Sequence, residues 1–182
     1  MYEGNIDIDK PRRRWTKNMV EGLFIFCQLD RVMSYESVCK VYRTLDNIGL
    51  TQFHNLLKIP LENLKEIIEI AGHRFPKQTA EFIKFNVRRF DGDTLRHMSR
   101  DEIVEKCKGF GYKLASMFHS RIHKTNYAII DVHVDRFLKQ HGCKATKYKD
   151  KESYLQKIAD DLEISMEELD WQIWNTNRIG NR

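Results

Sequence analysis

The sequence predicts an all-α fold, and three observations carry that prediction. Apolar residues recur at helical spacing in one run after another, and no sustained strand-like alternation interrupts them. The 182 residues include only three prolines and nine glycines, as expected of helices joined by short connections. Most of these mark stops between the periodic runs, as in Asn47-Ile48-Gly49, Lys58-Ile59-Pro60 and Asp91-Gly92-Asp93. Roughly nine or ten helices are expected, enough for two small helical lobes sharing a cleft.

Residues 1–10 are polar and patternless and read as a loose arm, ending in the basic cluster Pro11-Arg12-Arg13-Arg14, which is either solvated or in contact with phosphate. The folded unit is expected over residues 15–182. Trp15 to Leu29 forms a helix dense enough in apolar residues (Val20, Leu23, Phe24, Phe26, Cys27) to be buried. Tyr35 to Leu45 carries Val38, Val41, Tyr42 and Leu45 on one face. Thr51–Leu57 is short, and Leu61–Ile70 places Leu61, Leu64, Ile67 and Ile68 at core spacing. After the loop 71–76, Lys77–Phe90 turns Ala80, Phe82, Ile83 and Val87 inward and Lys84, Arg88 and Arg89 outward. Ser99–Cys107 and Tyr112–Arg121 are two helical runs around Gly109-Phe110-Gly111, and a further helix follows Asp131 to about His141. A basic linker leads to the helix Ser153–Leu162. The last helix opens on a capping box, Ser165 to Glu168, and turns Leu169, Ile173 and Trp174 inward.

Net charge is +5 with a pI near 9, which favours a polyanionic partner. The four cysteines, Cys27, Cys39, Cys107 and Cys143, form no CxxC pair, so neither zinc nor a cysteine-bound iron–sulfur cluster is readable, and buried thiols are expected. With no signal peptide and no apolar run of about 20 residues, a soluble chain in a reducing compartment is expected, with no membrane association.

The chemistry concentrates at the hairpin, residues 99–121. Two helices joined by Gly-x-Gly present backbone N–H groups at the start of the second helix, and with the helix dipole these bind phosphate without reading sequence. Gly109 and Gly111 permit the turn and the close approach of a strand, and Lys106 and Lys108 add charge. Lys113, second in the new helix, is either a phosphate-contacting or solvated lysine, or an amine made nucleophilic by the dipole and partial burial. Asp131, eighteen residues on, is either an N-cap or an ionised carboxylate able to stabilise a positive sugar.

Lys108-Gly109-Phe110-Gly111-Tyr112-Lys113-Leu114-Ala115, followed by Ile130-Asp131-Val132-His133-Val134, resembles the helix-hairpin-helix DNA glycosylase superfamily. Gly72-His73-Arg74-Phe75 with Lys77 and Ala80-Glu81-Phe82-Ile83, and Leu169-Asp170 through Trp174, are similar to the archaeal-type 8-oxoguanine DNA glycosylase/lyases. The resemblance implies a DNA-binding cleft between two interleaved lobes and a bifunctional glycosylase and abasic-site lyase. Lys113 would be the nucleophile that forms a Schiff base, with Asp131 supporting charge on the sugar. It further implies DNA contacts from Lys108, Gly109, Phe110, Gly111, Tyr112 and His133. A base pocket or duplex wedge would draw on Gln28, His73, Phe75, Trp171, Trp174 and Arg182. Trp171 and Trp174 either stack on the base or fill the core, and His73 and Phe75 either fill the gap left by a flipped base or build a structural loop. Arg182 stands near the chain end, where the archaeal-type group has a lysine. No catalytic cofactor and no iron–sulfur cluster are implied. A structural monovalent cation on the backbone of Glu105, Cys107 and Phe110 is. The substrate would be duplex DNA with a damaged base, bound by a monomer in the cytoplasm (nucleoid), or in the nucleus of a eukaryote. Two rivals remain open at this level: a glycosylase for an oxidised pyrimidine or mismatched base, and a non-catalytic helix-hairpin-helix DNA-binding module.

Overall fold

The computed structural model describes residues 15–179, and among these it contains eleven α-helices. They divide into two compact units, one ending at Phe118 and one beginning at His119.

The first unit holds α1 (Lys17–Leu29), α2 (Tyr35–Asn47), α3 (Phe53–Lys58), α4 (Leu61–Ile70), α5 (Pro76–Val87), α6 (Gly92–His97), α7 (Arg100–Lys106) and the start of α8 (Tyr112–His123). Helix α1 is the central element: every residue from Val20 to Leu29 is buried, and it packs against α2, α5 and α6. Its N-terminus is set by Thr16, whose hydroxyl accepts from the Met19 N–H. A carboxylate also lies in this core. Glu21 accepts from the backbone N–H of Phe53 at 2.9 Å and of Gly92 at 3.4 Å, joining α1 to the starts of α3 and α6. Phe24 stacks on Phe110 with ring centroids 4.5 Å apart, which fastens the later hairpin to α1.

Lys84 corrects the expected outward face of α5. Its stem is buried, and its ammonium donates to the carbonyls of Leu56, Leu57 and Ile59, the open C-terminal end of α3. Periodicity could not reveal this, because a lysine that caps another helix is core by position and polar by composition.

The second unit contains α9 (Val132–Gln140), α10 (Tyr148–Asp161) and α11 (Met166–Ile179), which pack against one another. Ala128, Ile130, Val134, Leu138, Leu155, Ala159, Met166, Leu169 and Ile173 form its core. Helix α10 begins at Tyr148, earlier than the expected Ser153, because the lysine-rich stretch forms its solvent-facing first turns while the Tyr148 hydroxyl reaches back to Ala128 O and Ile130 N. None of the described helices is long and apolar enough to cross a membrane.

Candidate active site

The hairpin is α7, a turn over residues 107–111, and α8. Helix α7 starts in a reciprocal capping box that the sequence reading did not identify: Ser99 Oγ accepts from Glu102 N, and Glu102 Oε2 accepts from Ser99 N. Lys106 and the Ser99 backbone together hold the Glu102 carboxyl down at about 2. In the last helix, Ser165 Oγ accepts from Glu168 N, as the expected box requires. Arg100 ties α7 to α8, donating to Ser116 Oγ at 3.2 Å while its guanidinium lies over the Tyr112 ring. Cys107 is buried at the bend, and burial pushes its thiol up to about 12, so it is a packing group rather than a nucleophile. All four cysteines are buried thiols outside any disulfide.

The turn itself is clamped from below. Asn86, fully buried on α5, accepts from the Lys108 N–H at 2.9 Å and donates to the Lys108 carbonyl at 2.9 Å. Gln28, fully buried on α1, donates to the same carbonyl at 3.0 Å and accepts from Asn86 at 2.7 Å. Two amides thus satisfy both backbone groups of one hairpin residue, so its path is fixed without help from DNA. Gly109 sits against this clamp at φ +84°, and a Cβ there would lie 2.5 Å from both Gln28 Nε2 and the Phe82 ring. Gly111 has open space around it instead.

This geometry corrects one sequence expectation and bears on two others. Gln28 is no duplex wedge: with no exposed surface and its amide spent on Lys108 and Asn86, it braces the hairpin. His73 is buried as well, with Nε2 on the Leu29 carbonyl and Nδ1 accepting from Phe75 N, so it builds the 72–76 loop rather than filling a duplex. Burial, with Arg31 nearby and against the pull of the Leu29 carbonyl, lowers its pKa. The Phe110 side chain is buried against Phe24, which leaves only its backbone to meet a phosphate.

The other expected residues are distributed as follows. Lys108 is exposed with its ammonium 4.2 Å from the centre of the Phe85 ring, Tyr112 is half-buried, and Phe75 is partly exposed beneath the Arg74 guanidinium. A surface pocket of about 310 Å³ beside Phe75 includes none of the hairpin residues. In the second unit Asp131 caps α9 through Oδ1, which accepts from His133 N at 2.8 Å and Val134 N at 2.9 Å; Oδ2 takes no part in the cap. His133 Nδ1 is buried with no hydrogen-bond partner among the described residues. Trp171 is 64% exposed and Trp174 36%, so Trp174 is not the inward residue expected; Leu169 and Ile173 are. Arg182 and the basic cluster at 11–14 lie outside the described residues.

Lys113 stands in the first turn of α8, in the first unit, while Asp131 belongs to the second. Its Nζ donates to Asp30 Oδ2 at 2.6 Å, with the two side chains 32% and 18% exposed. Asp30 follows the last residue of α1 and was not singled out in the sequence; the two residues lie 83 apart along the chain. Asn86 also carries a signal in the sequence, since an amide three residues after Ile83 and beside Val87 lies on an inward face.

Residues 12–169 match the family model for 8-oxoguanine DNA glycosylase. The chain belongs to this family. Within the 8-oxoguanine DNA glycosylase family, a glycosylase/AP lyase of Methanocaldococcus jannaschii is 28% identical over 181 residues, covering 91% of this chain and 81% of the relative. The glycosylase/AP lyase of Thermotoga maritima is 33% identical over 131 residues, covering 64% of this chain and 62% of that relative. Among solved structures, the Methanocaldococcus jannaschii 8-oxoguanine glycosylase/lyase in complex with a 15mer DNA containing 8-oxoguanine aligns with a TM-score of 0.74 at 27% identity, over 91% of this chain and 83% of that one. The all-α fold and the family resemblance drawn from the hairpin are both borne out. Among the described residues no group of three or more His, Cys, Asp or Glu could hold a metal ion, so a cation at the hairpin would depend on backbone carbonyls.

Proposed function

We propose that this chain is a bifunctional 8-oxoguanine DNA glycosylase and abasic-site lyase. The observation that carries the reading is Lys113 in the first turn of the helix behind a braced Gly-x-Gly hairpin, in a chain whose residues 12–169 match that family. The N–H groups opening α8 take a phosphate of the damaged strand, with Lys108 close by and Gly111 leaving room for the backbone. The damaged nucleotide is rotated out of the stack at a cost of a few kcal/mol. Lys113 attacks C1′ and displaces the base, and Asp131 supports the charge on the sugar through the oxygen its cap leaves over. The Schiff base then permits β-elimination, which nicks the strand. Exposed Trp171 and Trp174 supply stacking surface for the extruded base, and Phe75 is a partly exposed aromatic that could fill the gap it leaves. A monovalent cation on the carbonyls of Glu105, Cys107 and Phe110 would strengthen phosphate binding. The enzyme acts as a monomer in the compartment that holds the DNA.

The test is a panel of duplexes, each with one lesion, assayed for nicking and for a borohydride-trapped protein–DNA adduct. The expected result is trapping on 8-oxoguanine DNA that is lost in Lys113→Gln. Cutting of thymine glycol but not 8-oxoguanine would move the substrate to oxidised pyrimidines. DNA binding with no trapping on any lesion would make the chain a binding module.

A further inference from the structure

The proposed chemistry asks Lys113 to arrive as an ammonium and react as an amine, and the ion pair with Asp30 bears on how it does so. Asp30 ends α1, its backbone N–H bonded to the Phe26 and Cys27 carbonyls, so its Cα is held by the most buried helix of the unit. The side chain makes no cap bond; its Oδ2 lies on Lys113 Nζ at 2.6 Å. Both groups are largely shielded, and neither is fully enclosed. A pair on an exposed surface would have little meaning, but this one joins the reacting atom to a rigid carboxylate.

We infer that Asp30 is a second catalytic carboxylate, which orients Lys113 Nζ and carries the protons it sheds during Schiff-base formation. The inference rests on Lys113 being the nucleophile. At the aldehyde of an abasic site, the Nζ–C1′ bond forms and the carbonyl oxygen leaves as water. Lys113 enters as an ammonium with three protons and ends as an iminium with one. Asp30 takes the first proton, which frees the lone pair that attacks C1′, and returns it to the oxygen to give the carbinolamine. It then takes a second from nitrogen and delivers it to the departing hydroxyl. Two protons have passed from nitrogen to oxygen, water has left, and Asp30 is again a carboxylate. Asp131, with Oδ1 engaged in the α9 cap, keeps its separate role at the sugar.

The experiment measures the rate of borohydride-trappable adduct on duplex DNA with a preformed abasic site, using the full chain and Asp30→Ala, Asp30→Asn and Asp30→Glu. Asp30→Ala and Asp30→Asn are expected to slow trapping by about 10²-fold, the usual contribution of a positioned acid–base group. Asp30→Glu is expected to recover most of the rate, and added formate to accelerate Asp30→Ala while leaving the parent chain unchanged. A purely structural carboxylate could also be replaced by glutamate, but formate would leave its alanine variant unchanged. Asp30→Asn keeps the shape of the residue, and an unchanged melting transition establishes that it folds. The inference is overturned if Asp30→Asn traps within about twofold of the parent chain, or if formate fails to raise the rate of Asp30→Ala. A parent chain that traps nothing overturns the lyase reading itself, which separates the two failures.

Discussion

Replacing Asn86 with alanine tests whether the hairpin is braced from the core. The substitution deletes three hydrogen bonds: two with Lys108 and one with Gln28. The Lys108 carbonyl keeps its bond from Gln28, so two groups are orphaned, the Lys108 N–H and Gln28 Oε1. A buried polar group stripped of its partner costs about 1–3 kcal/mol. Gln28 is fully enclosed and bears the full cost, whereas water can reach Lys108, which is exposed. The expected loss is therefore about 1–4 kcal/mol. For a chain of this length each kcal/mol lowers Tm by about 2–4 °C, so the melting point should fall by about 2–16 °C. Affinity for undamaged duplex should fall with it, since the turn that offers its N–H groups to phosphate is no longer held. Urea denaturation and fluorescence anisotropy measure the two effects. A loss below about 1 kcal/mol would refute the argument that these amides fix the turn.

Other substitutions separate roles that the sequence leaves merged. Gly109→Ala should destabilise by about 2 kcal/mol or more, since φ +84° is strained for alanine and its Cβ meets Gln28 and Phe82; Gly111→Ala should stay within about 1 kcal/mol and reveal itself only as weaker DNA binding. Asp131→Asn keeps an oxygen for the α9 cap and should hold stability within about 0.5 kcal/mol while trapping falls at least about 10²-fold; equal trapping would remove Asp131 from the chemistry. His73 is held neutral by burial, so the unfolded chain binds more protons just below the ordinary histidine value of 6.5. Its contribution to stability is complete above that pH and is lost as pH falls towards its lowered folded value, so denaturation between about pH 7.5 and 5.5 should show a steeper loss in the parent chain than in His73→Gln.

The amino-acid sequence by itself determined the helical class, the stops between most helices and the family. The class and the stops rest on spacing along the chain, apolar residues at helical period and glycine or proline at the breaks, and the family rests on the resemblance carried by Gly109-Phe110-Gly111 with Lys113 and Asp131. Local pattern could also say that Asp131 suits an N-cap, because the cap reaches only two and three residues ahead. It could not say what Gln28, Asn86, Lys84 or Asp30 would do. Gln28 meets Asn86 across 58 residues and Asp30 meets Lys113 across 83. A polar side chain has the same composition whether it faces solvent, a duplex or a carbonyl in the core, and only its neighbours distinguish these. The tertiary structure decided that two amides serve the hairpin instead of the DNA, that a lysine closes the end of another helix, and that the candidate nucleophile rests on a carboxylate from α1. Those assignments follow from the demand that enclosed polar groups find partners, which is met in space rather than along the chain.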